Sequence, residues 1–522
     1  MRAKAPGSQM WQNAVGMSAI IADAISPDAI PEPERQVPAA TVPAGFTKAG
    51  EYLRHLTFRG AAYRYDEISF EAIERLNLEL ERIIGMAGAV DYILAAHDLI
   101  DWCQTEDILT APRGTSSGSL VLFCLGMTET DPLRYGLKFD RFFRAGRDAL
   151  PRLDFDIQLS RRQDAYDYLA GRWPDRVARA TSHARVKGDR VRDRYCGIDD
   201  ETAAQLDGRI QWAAAHVCAV LLAPAALHGT VPFRIDHRDG PGNGLPIAAW
   251  DAHGLEDQGY LVLNLLFSST LDVIARAAAA VRATPEGSTR MSVLLPDGDG
   301  EFYGSSTGAA WDLIASGDTD GVFQIGTDKA VAAAAAARPR NLTDMAALVA
   351  LIGRDERLER YLAARAARPR LRYYDLEHIT ADESEATWIC GVLKSTHGEI
   401  IFQEQLIDLF SSVGGFSNAQ AEHAWRTLAK LSPDVAHLRK KFMEGAVQEQ
   451  FDRAGDLRSS VFSEVTAAHL FDLLVNAAPG AFSAAHAYGY ARQTFQTAWL
   501  RTNFPETFQR VLDEFGPRRN RR

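Results

Sequence analysis

Asp154 and Asp156 stand two residues apart in Leu150-Pro151-Arg152-Leu153-Asp154-Phe155-Asp156-Ile157, where acidic and apolar residues alternate. Alternation of that period predicts a strand carrying both carboxylates on one face. Such a pair repels itself unless a divalent cation or an arginine compensates it, or unless both acids are simply solvated on a surface strand. A second stretch, Arg113-Gly114-Thr115-Ser116-Ser117-Gly118-Ser119, runs directly into apolar Leu120 to Leu125. Small residues feeding a helix start leave backbone N–H groups pointing outward, an arrangement that can bind phosphate. Gly/Ser turns ahead of helices are also common as plain structure.

The elements that must position these residues follow from periodicity. From Glu51 to Thr110 apolar positions such as Ile73, Leu76, Leu80 and Ile83 recur at helical spacing. Residues 183–240 read as a mixed helical segment. Gly259 to Leu266 reads as a buried strand with Asn264 its single polar residue, and beyond Thr270 helices dominate again. The Pro27, Pro31, Pro33, Pro38 and Pro43 series marks residues 1–50 as a linker or remnant.

Length and composition bound the rest. With 522 residues, 46% hydrophobic and 24% charged, the chain can bury several cores in two or three subdomains. Cys103, Cys124, Cys196, Cys218 and Cys390 lie far apart without a CxxC pair, which suits a reducing compartment and argues against structural zinc. No long apolar span or signal-like start is present, so a cytoplasmic protein with no membrane association is expected. A formal charge of −11 argues against nucleic-acid binding by the whole surface. Basic stretches at Arg161-Arg162, Arg185 to Arg194, Arg360 to Arg372 and Arg439-Lys440-Lys441 read as solvated faces.

Taken in order, several short motifs resemble the core of the bacterial C-family DNA polymerases, the polymerase III alpha family. They are Leu80-Glu81-Arg82-Ile83-Ile84, Asp91-Tyr92-Ile93-Leu94, the Arg113 to Ser119 loop, Thr130-Asp131-Pro132-Leu133, Asp140-Arg141-Phe142 and the Asp-Phe-Asp segment. Further on stand Val322-Phe323-Gln324, Ala347 to Leu351, Thr396 to Gln405 and Phe495 to Leu500. The resemblance covers residues 51–515 and implies an α+β fold with a palm of mixed sheet and helices, a thumb and large helical fingers. It divides the chain into a linker (1–50), palm (51–182 and 241–270), thumb (183–240), fingers (271–515) and a basic tail (516–522).

The same resemblance implies site roles. Gly114, Thr115, Ser116, Arg141, Arg426 and His486 would contact the triphosphate, although a buried, hydrogen-bonded histidine is the commoner reading of His486. Gln403 and Glu404 would orient a fingers helix. Asp154 and Asp156 would hold Mg2+ with a third palm acid. That third acid is Asn264 here, and the family's neighbouring triphosphate lysine is Val262. If Leu150-Pro151 follows the family's alignment, Arg152 replaces a first acid and leaves Asp154 and Asp156 second and third. A two-residue slip instead puts them on the catalytic pair. Ala484, Trp425 and Gly353 stand where the family has further cations. Two functions follow. One is a catalytically degenerate relative binding primer-template DNA or replication and repair proteins; the other is a weak, distributive DNA polymerase using Asp154, Asp156 and Mg2+. A remnant without function is a third reading. No His-x-His pattern precedes the core and the chain stops after the fingers, so neither a phosphoesterase-like domain nor sliding-clamp binding is expected.

Overall fold

The computed structural model describes residue 17 and residues 35–143, 150–187, 199–234, 244–283, 305–368, 370–430, 434–448, 450–451, 457–459 and 461–516. Cys196, part of the Arg185 to Arg194 stretch, the basic tail from 517 and nearly all of 1–34 lie outside them. The chain opens with helices α1 (Ala49–Arg64), α2 (Phe70–Gly85) and α3 (Ala89–Thr105), as helical spacing predicts. Ser69 caps α2 by accepting the Ala72 N–H at 3.2 Å. Then come β1 (Thr110–Arg113), the short helices α4 (Leu120–Cys124) and α5 (Phe139–Phe142), β2 (Asp154–Gln158) and α6 (Arg162–Arg172).

Next stand β3 (Val177–Arg185), α7 (Asp200–Leu206), β4 (Ile210–Leu222), β5 (Phe233–Arg234), β6 (Ile247–Asp251), α8 (Ala252–Asp257) and β7 (Leu261–Ser268). These strands form one mixed seven-stranded sheet in the order β1-β2-β7-β4-β3-β6-β5. The mixed-helical reading of 183–240 is therefore corrected. Alanine-rich Ala213-Ala214-Ala215 has high helix propensity, but β4 is held as a strand by pairing with β3 on one side and β7 on the other. The predicted strand at 259–266 matches β7, and β7 runs parallel to β2.

After β7 the chain is helical, apart from the small β8 (Gln450–Phe451) and β9 (Leu457–Ser459) pair. The helices are α9 (Ser269–Arg282), α10 (Ser305–Ser316), α11 (Asp328–Ala337), α12 (Leu342–Leu351), α13 (Asp355–Ala367), α14 (Glu383–Leu393), α15 (Gln403–Ser412), α16 (Asn418–Ala429), α17 (Val435–Ala446), α18 (Glu464–Ala477), α19 (Ala484–Asn503) and α20 (Pro505–Phe515).

Four cores hold this together. Leu53, Leu76, Ile93, Phe155 and Leu263 join α1 to α3 to one face of the sheet. Ala219, Leu221, Leu255 and Val262 pack α8 on the other face. Ile274, Trp311, Met345, Leu348 and Phe495 centre a helical layer around α19. Leu406, Phe410, Phe442 and Phe471 centre a last bundle from α14 to α18. Gly60 lets α1 cross α4, since a β-carbon there would stand 1.8 Å from the Cys124 carbonyl oxygen. No single helix among the described residues is long and apolar enough to cross a membrane.

Candidate active site

On β2 the alternation does what the sequence predicts. Phe155 and Ile157 enter the first core, while Asp154 and Asp156 turn to the opposite face. β7 brings Asn264 directly across from Asp154, and β1 brings Arg113 across from it on the other side. The Asn264 Nδ2 donates to Asp154 Oδ1 at 2.6 Å. The Arg113 guanidinium lies 3.9 Å from the Asp156 carboxylate. Burial pushes the Asp156 carboxyl up to about 6; Arg113 opposes that shift and Asp154 adds to it. Asp154 is also raised by burial, against the pull of the Asn264 hydrogen bond and of Arg152. Arg152 itself precedes the strand and reaches away, pairing with Glu256 at 3.1 Å.

β4 contributes a residue that periodicity hides. Between Arg179 and Thr181 the partner on β4 jumps from Val220 to Ala215, a bulge that re-aims the intervening side chains. His216 Nδ1 accepts the Cys218 and Ala219 N–H groups at 3.3 and 3.0 Å. The Cys218 thiol then sits 3.8 Å from Asn264 Oδ1, and burial raises its pKa. The amide thus turns its N–H toward the carboxylate and its oxygen toward the thiol.

The loop after β1 joins this cluster to α19. Gly114 has φ +73°, a conformation that calls for glycine, and a β-carbon there would stand 3.4 Å from Asp154 Oδ2, an ordinary contact. Its N–H donates to His486 Nδ1 at 3.1 Å. Burial, with Arg113 nearby, holds His486 down to about 4, so the ring is a neutral acceptor. Phe482 and Tyr490 flank that ring at 5.4 and 4.2 Å between centroids, and Arg113 donates to the Tyr490 hydroxyl. His486 is thus half-buried and hydrogen-bonded.

At the start of α4, which the sequence reads as able to bind phosphate, an internal acid takes the helix N–H groups. Glu79, fully buried on α2, accepts from Ser119 Oγ at 2.7 Å and from the Leu120 and Val121 N–H groups, both at 3.1 Å. Arg75 neutralises it at 2.6 Å. An internal carboxylate thus occupies the position a phosphate would take at that helix end. Thr115 starts the 3-10 turn Ser116–Gly118, where its carbonyl accepts the Gly118 N–H, and Ser116 Oγ donates to the Arg113 carbonyl.

Arg141 and Arg426 belong to a second cluster. Arg141 is buried, donates to Glu422 and Gln403, lies 3.7 Å from Glu404 and stacks over Trp425 at 4.9 Å. Arg426 pairs with Glu422 at 3.0 Å. Glu404 in turn accepts the Ala484 N–H at 2.8 Å, capping the start of α19. Gln403 and Glu404 thus both contact the residues that lead into α19, Gln403 donating to the Ala481 carbonyl at 3.1 Å. Val262 is buried in the second core, so no cation stands at that position.

The structure brings together Asp154, Asp156, Asn264, Gly114 and His486, and holds Arg141 and Arg426 elsewhere. Arg113, Tyr490, Cys218 and Glu79 carry contacts that sequence reasoning did not assign. Only Arg113 had a signal, its place just before the glycine loop.

A paired Mg2+ centre needs anionic oxygens facing a common point. The residues present do not fit one: one carboxylate receives an amide N–H, the other an arginine, and the third position is neutral. Among the described residues no group of three or more His, Cys, Asp or Glu side chains is placed to hold a metal ion.

Comparison with known proteins agrees with the fold. Residues 51–199 match the model of the bacterial DNA polymerase III alpha NTPase domain, and residues 305–450 match that of the bacterial DNA polymerase III alpha subunit finger domain. The DNA polymerase III subunit alpha of Borreliella burgdorferi is 26% identical over 513 residues, covering 89% of this chain and 41% of the relative. That of Treponema pallidum is 27% identical with the same coverage, and that of Deinococcus radiodurans is 26% identical over 85% of this chain and 35% of the relative. The chain spans about two fifths of the length of the curated relatives it matches. With the two family matches together covering more than half of the residues and these relatives running through nearly the whole chain, it belongs to the bacterial DNA polymerase III alpha family as a divergent member.

Proposed function

We propose that this chain engages primer-template DNA, or proteins of replication and repair, while its nucleotidyl-transfer chemistry is impaired or absent. The observation that carries this reading is the Asn264 N–H donated to Asp154 at 2.6 Å, where the resemblance puts a third metal-binding acid. A pocket for a triphosphate must also offset several negative charges. Arg141 and Arg426 are already paired with Glu404 and Glu422, and lost charged hydrogen bonds weaken binding by about 1.5–3 kcal/mol each. In this reading residues 51–182 and 241–270 act as palm, 183–240 as thumb and 271–515 as fingers. Gly114, Thr115, Ser116 and His486 line what remains of the nucleotide side, in a cytoplasmic protein.

A weak, distributive polymerase is the second reading. It is favoured by Asp154 and Asp156 sharing one face of β2 beside Asn264. Primer extension in Mg2+ and in Mn2+, run beside DNA binding at low salt, separates the two. Binding without extension is expected. Extension by the unmodified chain that Asp154→Ala abolishes would overturn the impaired reading, and no DNA binding would leave only the protein-partner version.

A further inference from the structure

Between α10 and α20 lies an open groove of about 1000 Å3. That is the upper end of the range for ligand sites. Leu313 and Pro505 supply apolar surface, and four acids line the walls: Asp312 and Asp318 on the α10 side, Glu506 and Asp513 on α20. Arg501 and Arg510 line it as well, so four acids against two cations leave a formal charge of −2.

Part of that charge is already spent inside the fold. Arg501 donates to the Asp318 and Asp320 carbonyls, both at 2.8 Å, and to Asp318 Oδ1 at 2.5 Å. Asp312 is held by Arg340. Glu506 and Asp513 differ: both are exposed, and neither forms an ion pair among the described residues, with Arg510 or with any other cation. Asp513 accepts only an amide N–H, from Gln509 at 2.9 Å. Two helical turns apart, the two acids share one face of α20.

Directly after this helix comes the densest run of cations in the sequence, Pro517-Arg518-Arg519-Asn520-Arg521-Arg522. The helix ends at Gly516, which is extended at φ −63° and ψ 160° and packs closely on the last turn. A β-carbon there would stand 2.4 Å from the Leu512 carbonyl oxygen. Asp513 precedes Gly516 in that same turn, so the chain leaves α20 at the mouth of the groove. At 1.5 Å per residue Glu506 lies about 15 Å back along the axis, and six extended residues span about 20 Å. A segment doubling back along α20 therefore passes Asp513 and reaches Glu506 within its length.

We propose that the groove between α10 and α20 is the docking site of the chain's own residues 517–522, whose arginines pair with Asp513 and Glu506. Arginine suits these partners because its fork meets a carboxylate in two parallel hydrogen bonds, while its apolar stem can lie on surface such as Leu313 and Pro505. A cation just past a helix end also meets the negative pole of α20. Docked there, the four guanidiniums face carboxylates instead of phosphates. The inference goes beyond the DNA-engaging reading above and does not rest on it.

The test is timed trypsin digestion of the full chain, with cleavage after Arg518 and Arg519 followed by mass spectrometry. Wild type is compared with Glu506→Gln/Asp513→Asn and with Glu514→Gln, which removes an exposed acid of α20 that is nearer the cleavage sites but does not line the groove. All three positions are exposed, so the variants should melt with the wild type. Exposed ion pairs are weak, and cleavage of the double variant is expected to be roughly five-fold faster, equivalent to about 1 kcal/mol for two pairs. High salt should bring the wild type up to the same rate, and Glu514→Gln should be cleaved like wild type. The proposal is overturned if the double variant is cleaved no faster than wild type, or if Glu514→Gln is cleaved as fast as the double variant. Protection that disappears on dilution would overturn it too, by assigning the groove to the same segment of a second copy.

Discussion

Asn264→Asp restores the acid that the family resemblance places on β7, and its consequences can be worked from the geometry. The amide N–H now 2.6 Å from Asp154 Oδ1 becomes a second carboxylate. Relaxed apart to about 4 Å at an effective dielectric of ~20, the two charges cost about 4 kcal/mol. At pH 7 the cost stays near that limit, because raising one carboxyl by ~3 pKa units, at 1.36 kcal/mol each, lets it take up a proton instead. Scaled from an unfolding entropy of ~2.1 cal/mol/K per residue, this chain should melt about 4 °C lower in EDTA. With a third acid in place, a cation present at ~100 times its Kd returns about 2.7 kcal/mol. Thermal unfolding of both proteins in EDTA and in millimolar Mg2+ is the assay. The variant should fall in EDTA and recover in Mg2+, while the wild type stays flat. A wild type that Mg2+ stabilises as strongly as the variant, or a variant indistinguishable from it in EDTA, would refute the electrostatic reasoning.

Glu79→Ala should lose about 3–5 kcal/mol in denaturant unfolding, because it strips Arg75 of its buried partner and leaves Ser119, Leu120 and Val121 without their acceptor; a loss under about 1 kcal/mol would contradict the internal-anion role. Asp156 has a pH signature. Its folded-state carboxyl sits at about 6, above the ordinary carboxylate value, so the stability tied to its neutral form is fully present below pH ~4 and is lost as pH rises through 6. Asp156→Asn removes that loss, so between pH 4 and 7 the variant should gain about 2.4 kcal/mol relative to wild type. A constant gap across that range would show that the carboxyl is not perturbed.

Much of this molecule was legible because the signal was local. The helices α1 to α3 and the strand β7 follow from apolar spacing alone, and so does the common face of Asp154 and Asp156. What failed was decided by partners distant in sequence. β4 carries an alanine run that would favour a helix in isolation, but the sheet supplies β3 and β7 on either side of it. Cys218 meets Asn264 beside a bulge in which the His216 ring accepts two backbone N–H groups. Glu79 looks like one more acid on an amphipathic helix, and its burial against the start of α4 depends on a crossing 40 residues later. The Gly114 loop could be recognised as special, but not that a histidine 372 residues away would accept its N–H.

That last contact belongs to a junction between the sheet and α19. Arg113, Gly114, His486 and Tyr490 link the sheet to α19, and Glu404 caps the same helix while compensating Arg141. Residues that the family resemblance assigns to nucleotide handling therefore also bear the junction between the sheet and the helical layer. Asn264 and Val262, where the family resemblance implies an acid and a lysine, take no part in this junction. Losing Arg113 would leave Asp156 buried beside Asp154 without its cation. Asn264 and Val262 thus stand outside the contacts that join the sheet to α19, whereas Arg113, Gly114 and His486 carry them.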